Sequence, residues 1–272
     1  SHLFGEKAAL VQSFAFAQDG NGDFWIGTQQ GLVKCGMGLG NPQFQLMQTD
    51  PGNPQGLNHN VIACLLPDPV KPGEVLWIGT KGGGINRLDI RSGQVRHFTT
   101  EDGLPDMVVY GILPGNERPP QGRPSFWCST NRGLAKLVFP ETLKTDEKPA
   151  ITVFSAAKGL QDSEFNTQAF FKAHDGELLF GGISGFNHFL PEAVLPDTAR
   201  PPVFVVGISI NHEAVNLGQR GLKTSLDCLR ELQLGYDENN VSFEFAALDF
   251  TDPAQNRYRY RLVGADDDWV AT

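Results

Sequence analysis

Cationic residues are scarce in this sequence. Lys and Arg total 22 against 31 Asp and Glu, a net charge of −9. With no Lys/Arg cluster against that balance, nucleic-acid binding is excluded for this segment. Long apolar runs are missing too. The longest, "PPVFVVGISI" at 201–210, suits a strand and falls well short of the roughly 20 residues that cross a bilayer as a helix. Any membrane contact is therefore expected through a helix outside this chain. Cysteine is sparse: Cys35, Cys64, Cys128 and Cys228 lie far apart, with no C-x-x-C and no Cys/His cluster. That pattern gives no zinc site. Cys64 in "VIACLL" and Cys128 in "FWCST" read as buried small hydrophobes; the other reading is a disulfide, and spacing names no pair. The chain opens without Met or a signal peptide and stops at "DDDWVAT", after an apparent strand. A piece of a longer protein is expected.

What is abundant is glycine (31), proline (18) and phenylalanine (19), spread over 272 residues. Gly and Pro between short apolar runs predict many strands joined by tight turns. An internal repeat organises them. "FWIGTQQGLVK", "LWIGTKGGGINRL", "FWCSTNRGLAKL" and "LLFGGISGFNHF" align with Trp25, Trp77, Trp127 and Leu179 in one column, 52, 50 and 52 residues apart. Gly31, Gly83, Gly133 and Gly185 keep the same spacings. Each repeat opens on an apolar run, such as "VIACLLPD", and turns into the Trp strand. A short gap ending in Gly leads to a third strand, and runs such as "VRHFTT" supply a fourth. Four strands in about 50 residues is the size of a β-propeller blade. The last repeat has no fourth run before "LPEAVLPD", so the blades are expected to end there. The aligned glycines are expected to supply positive φ in tight hairpins.

"DGNGDF", from Asp19, has the look of a calcium loop, with Asp19, Asn21 and Asp23 alternating with glycines. A calcium-binding loop of that kind needs Gly at position six and Glu at twelve. Here those positions hold Phe24 and Gln30, so a hairpin turn is the expected role. No metal or cofactor is expected. Asp102, Asp106, Asp162 and Glu164 read as solvated loop acids, not an acid/base pair, and no nucleophile motif is present.

The "WIGT-x-x-GL" strand pair, followed by "GLNHN", "GLPDM" and "GLQDSEFN", resembles the two-component regulator propeller repeat over roughly residues 8–190. "LQLGYDENNVSFEFAALDFTDPAQNRYRYRLVGADDDW" resembles the three-tyrosine, immunoglobulin-like domain that follows such propellers. Its alternations, Val241/Phe243/Phe245 and Tyr258/Tyr260/Leu262, predict strands with one buried and one wet face. The fold class is thus all-β: a partial β-propeller of about four four-stranded blades, then an incomplete immunoglobulin-like β-sandwich. The expected division is 1–190 for the blades, 191–201 for a proline-rich linker and 202–272 for the start of the sandwich.

The resemblance implies a seven-bladed ring with blades missing upstream, so these four should form an open arc. It implies an extracytoplasmic (periplasmic) sensing segment of an inner-membrane sensor histidine kinase, not itself an enzyme. That segment would detect a carbohydrate and pair as a homodimer through the sandwich. The connections between blades emerge on one face beside the channel. Asn58, His59, Asn60, Asp106, Met107, Tyr110, Glu164, Phe165 and Asn166 are therefore the candidate ligand-binding residues: amides and acids for hydroxyls, rings for a sugar's apolar face. The other reading of these Asn and Asp residues is that they serve local turns. A polysaccharide-active propeller enzyme and a structural protein-interaction module are the alternatives.

Overall fold

The computed structural model describes residues 12–36, 43–115, 124–140, 148–194, 202–216, 231–248 and 258–271, with single positions 218, 226 and 256. Two units divide the chain, Ser1–Leu195 and Pro196–Thr272.

The first unit consists of antiparallel sheets, one per repeat. β1 (Ser13–Gln18), β2 (Phe24–Thr28), β3 (Gly31–Gly36) and β4 (Gln43–Met47) form the first sheet, in that order. β5 (Ile62–Pro67), β6 (Val75–Thr80), β7 (Ile85–Asp89) and β8 (Val95–Phe98) form the second. β9 (Val109–Pro114), β10 (Ser125–Thr130), β11 (Gly133–Val138) and β12 (Ala150–Phe154) form the third. β13 (Phe165–Lys172), β14 (Leu178–Gly182) and β15 (Gly185–Phe189) form the fourth, which has no outer strand among the described residues. The first strands β1, β5, β9 and β13 lie side by side. Each sheet stacks on the next, which is the arrangement of propeller blades.

Tryptophan is the mortar. Trp25, Trp77 and Trp127 are each at most 2% exposed. Each packs forward onto the residues flanking the equivalent position in the next sheet. Trp25 shares a core cluster with Leu76 and Ile78, Trp77 with Phe126 and Cys128, and Trp127 with Leu178 and Phe180; the Trp77 and Phe126 ring centres are 4.7 Å apart. A cation on the third strand stands opposite each indole: Lys34, Arg87 and Lys136 lie 5.3, 5.8 and 5.5 Å from the ring centres. The fourth sheet has the pair Leu179 and His188 there.

Each indole N–H is handled by what ends the first strand. Trp25 Nε1 donates to Asp19 Oδ2 at 2.9 Å, and Trp77 Nε1 to Asp68 Oδ2 at 2.8 Å. Their other oxygens hold the turn: Asp19 Oδ1 accepts from the backbone N–H of Asn21 and Asp23. In the third sheet Gly115 stands where the aspartate would be, and Trp127 Nε1 has no partner. "DGNGD" is thus a joint: Asn21 Nδ2 donates to Gly73 O at 2.8 Å, and Gly20 N–H to Pro72 O at 2.9 Å, on the next sheet.

The hairpin glycines need one correction. Gly31, Gly133 and Gly185 have φ of 133°, 107° and 131°. In the second sheet the loop is one residue longer, and the structural equivalent is Gly84 (φ 68°), not Gly83. A Cβ on Gly31, Gly84 or Gly133 would lie 2.4, 2.3 or 2.1 Å from the carbonyl of Met47, Phe98 or Phe154, at the end of the fourth strand. At Gly185 nothing lies within 4 Å. The threonine that ends the second strand fixes these hairpins as well. Thr28, Thr80 and Thr130 are buried, and each Oγ1 donates to the glycine carbonyl while accepting an N–H from within the loop.

The second unit holds a three-stranded sheet, β17 (Glu213–Ala214), β16 (Val203–Ile210) and β18 (Val241–Ala247), in that order. A two-stranded pair, β19 (Arg259–Tyr260) and β20 (Val270–Ala271), completes its described strands. The expected burial of alternate residues is incomplete. Ile208 and Ile210 are buried, whereas Phe243 and Phe245 are 48% and 38% exposed. The expected strand through Tyr258 and Leu262 is only two residues long, and Tyr260 and Leu262 are exposed. Tyr258 instead accepts the Ala247 N–H on its hydroxyl at 3.1 Å. Cys228 and most of the linker lie outside the described residues.

Candidate functional site

Antiparallel pairing brings the start of each first strand level with the end of its second. The hairpins after β2, β6 and β10 therefore share one end of the unit with the connections between sheets. Side chains from four sheets meet at this end. Lys81, in the hairpin after β6, sets its ammonium 4.9 Å from the Phe14 ring centre and 6.0 Å from that of Tyr110. An ammonium over ring faces is held by their quadrupoles. Tyr110 donates to Asn131 Oδ1 at 2.6 Å. Burial first, then the carboxylates of Glu164 and Asp106, push its phenol above the usual value. It therefore stays a protonated donor at neutral pH. Arg132 Nε lies 3.6 Å from Asp106 Oδ2 and is largely exposed. Gln168, at φ 62°, donates from Nε2 to the Phe14 carbonyl. A non-glycine residue at positive φ costs free energy; here it carries the side chain from the fourth sheet across to the first.

The candidates read from the sequence divide among several tasks. Tyr110, Asp106 and Glu164 belong to this mouth. Asn58 holds turns instead: its Nδ2 donates to Gly83 O at 2.8 Å, and its Oδ1 accepts from Asn86 Nδ2 at 2.7 Å. His59 accepts the Val61 N–H on Nδ1. Asn60 pairs with Thr49 through both amide atoms. Met107 acts through its carbonyl, which accepts from Gly82 and Gly84. Phe165 is fully buried beside Phe180, and Asn166 is exposed. Asn58 also lines a cleft of about 270 Å³, with His97, Asp50 and Asn53.

Phe14, Lys81, Asn131, Arg132 and Gln168 were not among the sequence candidates. Their signal was present: the hairpin loops lie level with the connections whenever strands alternate in direction. The loop acids have structural partners. Asp102 accepts the Thr99 N–H and pairs with Lys148 at 2.7 Å. Asp162 accepts from Ser184 Oγ at 3.0 Å.

No family model matches the chain. Over 150 residues it is 28% identical to histidine kinase P4 of Formosa agariphila, covering 54% of this chain and 10% of that protein. The chain thus spans about a tenth of that curated relative. Among solved structures, it is similar to the extracellular domain of a putative hybrid two-component system from B. thetaiotaomicron. That match has 19% identity and a TM-score of 0.44, covering 97% of this chain and 39% of that one. It is also similar to virginiamycin B lyase from Staphylococcus aureus, with 14% identity and a TM-score of 0.42, over 70% and 58% of the two chains.

Proposed function

We propose that this chain is part of the extracytoplasmic sensing region of a membrane-bound two-component regulator, and that its ligand is a carbohydrate bound at the channel mouth. The regulator part rests on the 28% identity to a histidine kinase. The ligand part rests on one observation: Phe14, Lys81, Tyr110 and Asn131, from three sheets, converge at one end of the first unit. Rings can stack on a sugar's apolar face, while the ammonium, phenol and amide bond its hydroxyls. The chain itself carries out no chemistry in this reading. The bound ligand favours one arrangement of the region, and the unit after Pro196 passes that preference on, through pairing of two copies, to a kinase.

Calorimetry on the complete ectodomain with a broad oligosaccharide panel tests it. One member of the panel should bind, and Lys81→Ala should weaken it about tenfold, equivalent to about 1.4 kcal/mol. Silence across the panel, with signalling intact after the blades are deleted, would overturn the proposal.

A further inference from the structure

One connection between sheets is longer than the other two, and a cleft lies against it. Eight residues, 48–55, separate β4 from Gly56, whereas four residues, 99–102 and 155–158, separate β8 from Gly103 and β12 from Gly159. The short connections wind into single 3₁₀ turns, Thr100–Asp102 and Ala156–Lys158. The long one, "QTDPGNPQ", folds into two successive turns instead. The Asn53 N–H donates to Asp50 O at 2.9 Å, and the Gly56 N–H to Asn53 O at 3.0 Å. Pro51 and Pro54 each take the second position of a turn, where their fixed φ already fits. Asp50 Oδ1 and Asn53 Oδ1 brace the same turns by accepting from the Gly52 and Gln55 N–H groups. The Val95 N–H donates to Gln55 O at 2.7 Å, which ties the loop to β8. Local sequence thus makes this loop a fixed wall.

The loop and His97 of β8 line the cleft of about 270 Å³. Asp50, Asn53 and His97 give it polar edges, Pro54 and Leu57 give it apolar ones, and no Lys or Arg among the described residues lines it. His97 Nε2 lies 2.8 Å from the Gly56 carbonyl, which can only accept, so in the neutral ring Nδ1 is an acceptor. Nδ1, Asp50 Oδ2 and Asn53 Nδ2 have no hydrogen-bond partner among the described residues. One negative charge, a second acceptor and an amide donor, with no cation beside them, call for a ligand that mainly donates hydrogen bonds. No group of three His, Cys, Asp or Glu stands together among the described residues to hold a metal ion instead. The volume falls just under the roughly 300–1,000 Å³ of sites for drug-sized ligands. That is room for one sugar residue rather than a chain.

We propose that this cleft binds one neutral sugar residue, whose hydroxyls donate to Asp50 Oδ2 and His97 Nδ1 and accept from Asn53 Nδ2, with its apolar face against Pro54 and Leu57. Asp50 repels a ligand that carries a carboxylate, so the site discriminates by charge. The cleft shares no residue with the mouth around Lys81 and Tyr110, and the two sites therefore bind or fail separately.

Saturation-transfer NMR on the complete ectodomain tests it, with methyl glycosides of neutral hexoses and pentoses as probes and methyl uronides as charged controls. At least one neutral glycoside should bind, and its uronide counterpart should bind several-fold more weakly. Asp50→Asn keeps an oxygen for the Gly52 N–H, so the loop holds while the charge is lost. It should weaken the glycoside about tenfold, because hydrogen bonds to an ionised group are the stronger ones. Lys81→Ala should leave this binding unchanged. Silence across the neutral panel would overturn the proposal, as would a uronide that binds equally well. Binding lost in Lys81→Ala and kept in Asp50→Asn would put the sugar at the mouth and overturn it too.

Discussion

At the scale of single residues, Asp19 shows how one carboxylate can resemble a metal ligand and serve as a brace. It is 5% exposed, and its two oxygens accept from two backbone N–H groups and one indole. Removing it strands three donors, two of them in a turn that latches the next sheet. Asp19→Ala should cost about 1–3 kcal/mol, the range for leaving buried donors unmet. Urea unfolding followed by Trp fluorescence measures it. Gly115 is the natural counterpart: it leaves Trp127 Nε1 without a partner. Sequence comparison among the repeats exposed the tryptophans but not their partners. The aspartates lie six and nine residues before the indoles they bind, so no fixed spacing marks them.

Among the elements, the hairpin between second and third strands carries the sharpest contrast. Gly133 and Gly185 both sit at positive φ. Among the described residues, only Gly133 has an outer strand over it, with the Phe154 carbonyl 2.1 Å from where a Cβ would be. Gly185→Ala should therefore cost about 1–2 kcal/mol of backbone strain. Gly133→Ala should cost that and about 1–3 kcal/mol more, as overpacking does. Thermal melts of the two variants decide it; equal losses would mean that the outer strand does not press on the turn. The repeat made the hairpins legible in the sequence. It misassigned the second one by a residue, because three successive glycines, Gly82, Gly83 and Gly84, admit two alignments. Hydrogen bonding chose between them: the Thr80 hydroxyl donates to Gly84 O, not to Gly83 O.

At the scale of the whole molecule, stability resides between sheets, and two thiols report on it. Cys64 and Cys128 are at most 1% exposed in the core shared by the second and third sheets. Burial pushes the Cys64 thiol from 9.0 up to about 12, and raises that of Cys128 as well. The unfolded chain would lose these protons near pH 9, while the folded one keeps them. Stability linked to them is full below pH 9 and falls as pH rises towards about 12. Both thiols should resist iodoacetamide at pH 9 in the folded protein and react once urea unfolds it. Alkylation at the unfolded rate in native buffer would show that this interface opens readily.

The sequence by itself determined the repeat, the strand order within each sheet and a last sheet with no fourth strand among the described residues. Those features are written in local periodicity: alternating apolar residues, a glycine where the chain must reverse, a tryptophan every 50 to 52 residues. Only the tertiary structure decided which polar residues gather at the mouth and which serve the backbone. Asn58, His59 and Asn60 are committed to neighbouring turns by bonds to Gly83, Val61 and Thr49. Lys81 and Phe14, unremarkable in sequence and 67 residues apart, meet because sheet stacking brings one sheet's hairpin beside another's inner strand. Periodicity records how a segment pairs with its neighbours along the chain. It does not record which side chains from separate sheets share a mouth, because that depends on how the sheets are packed.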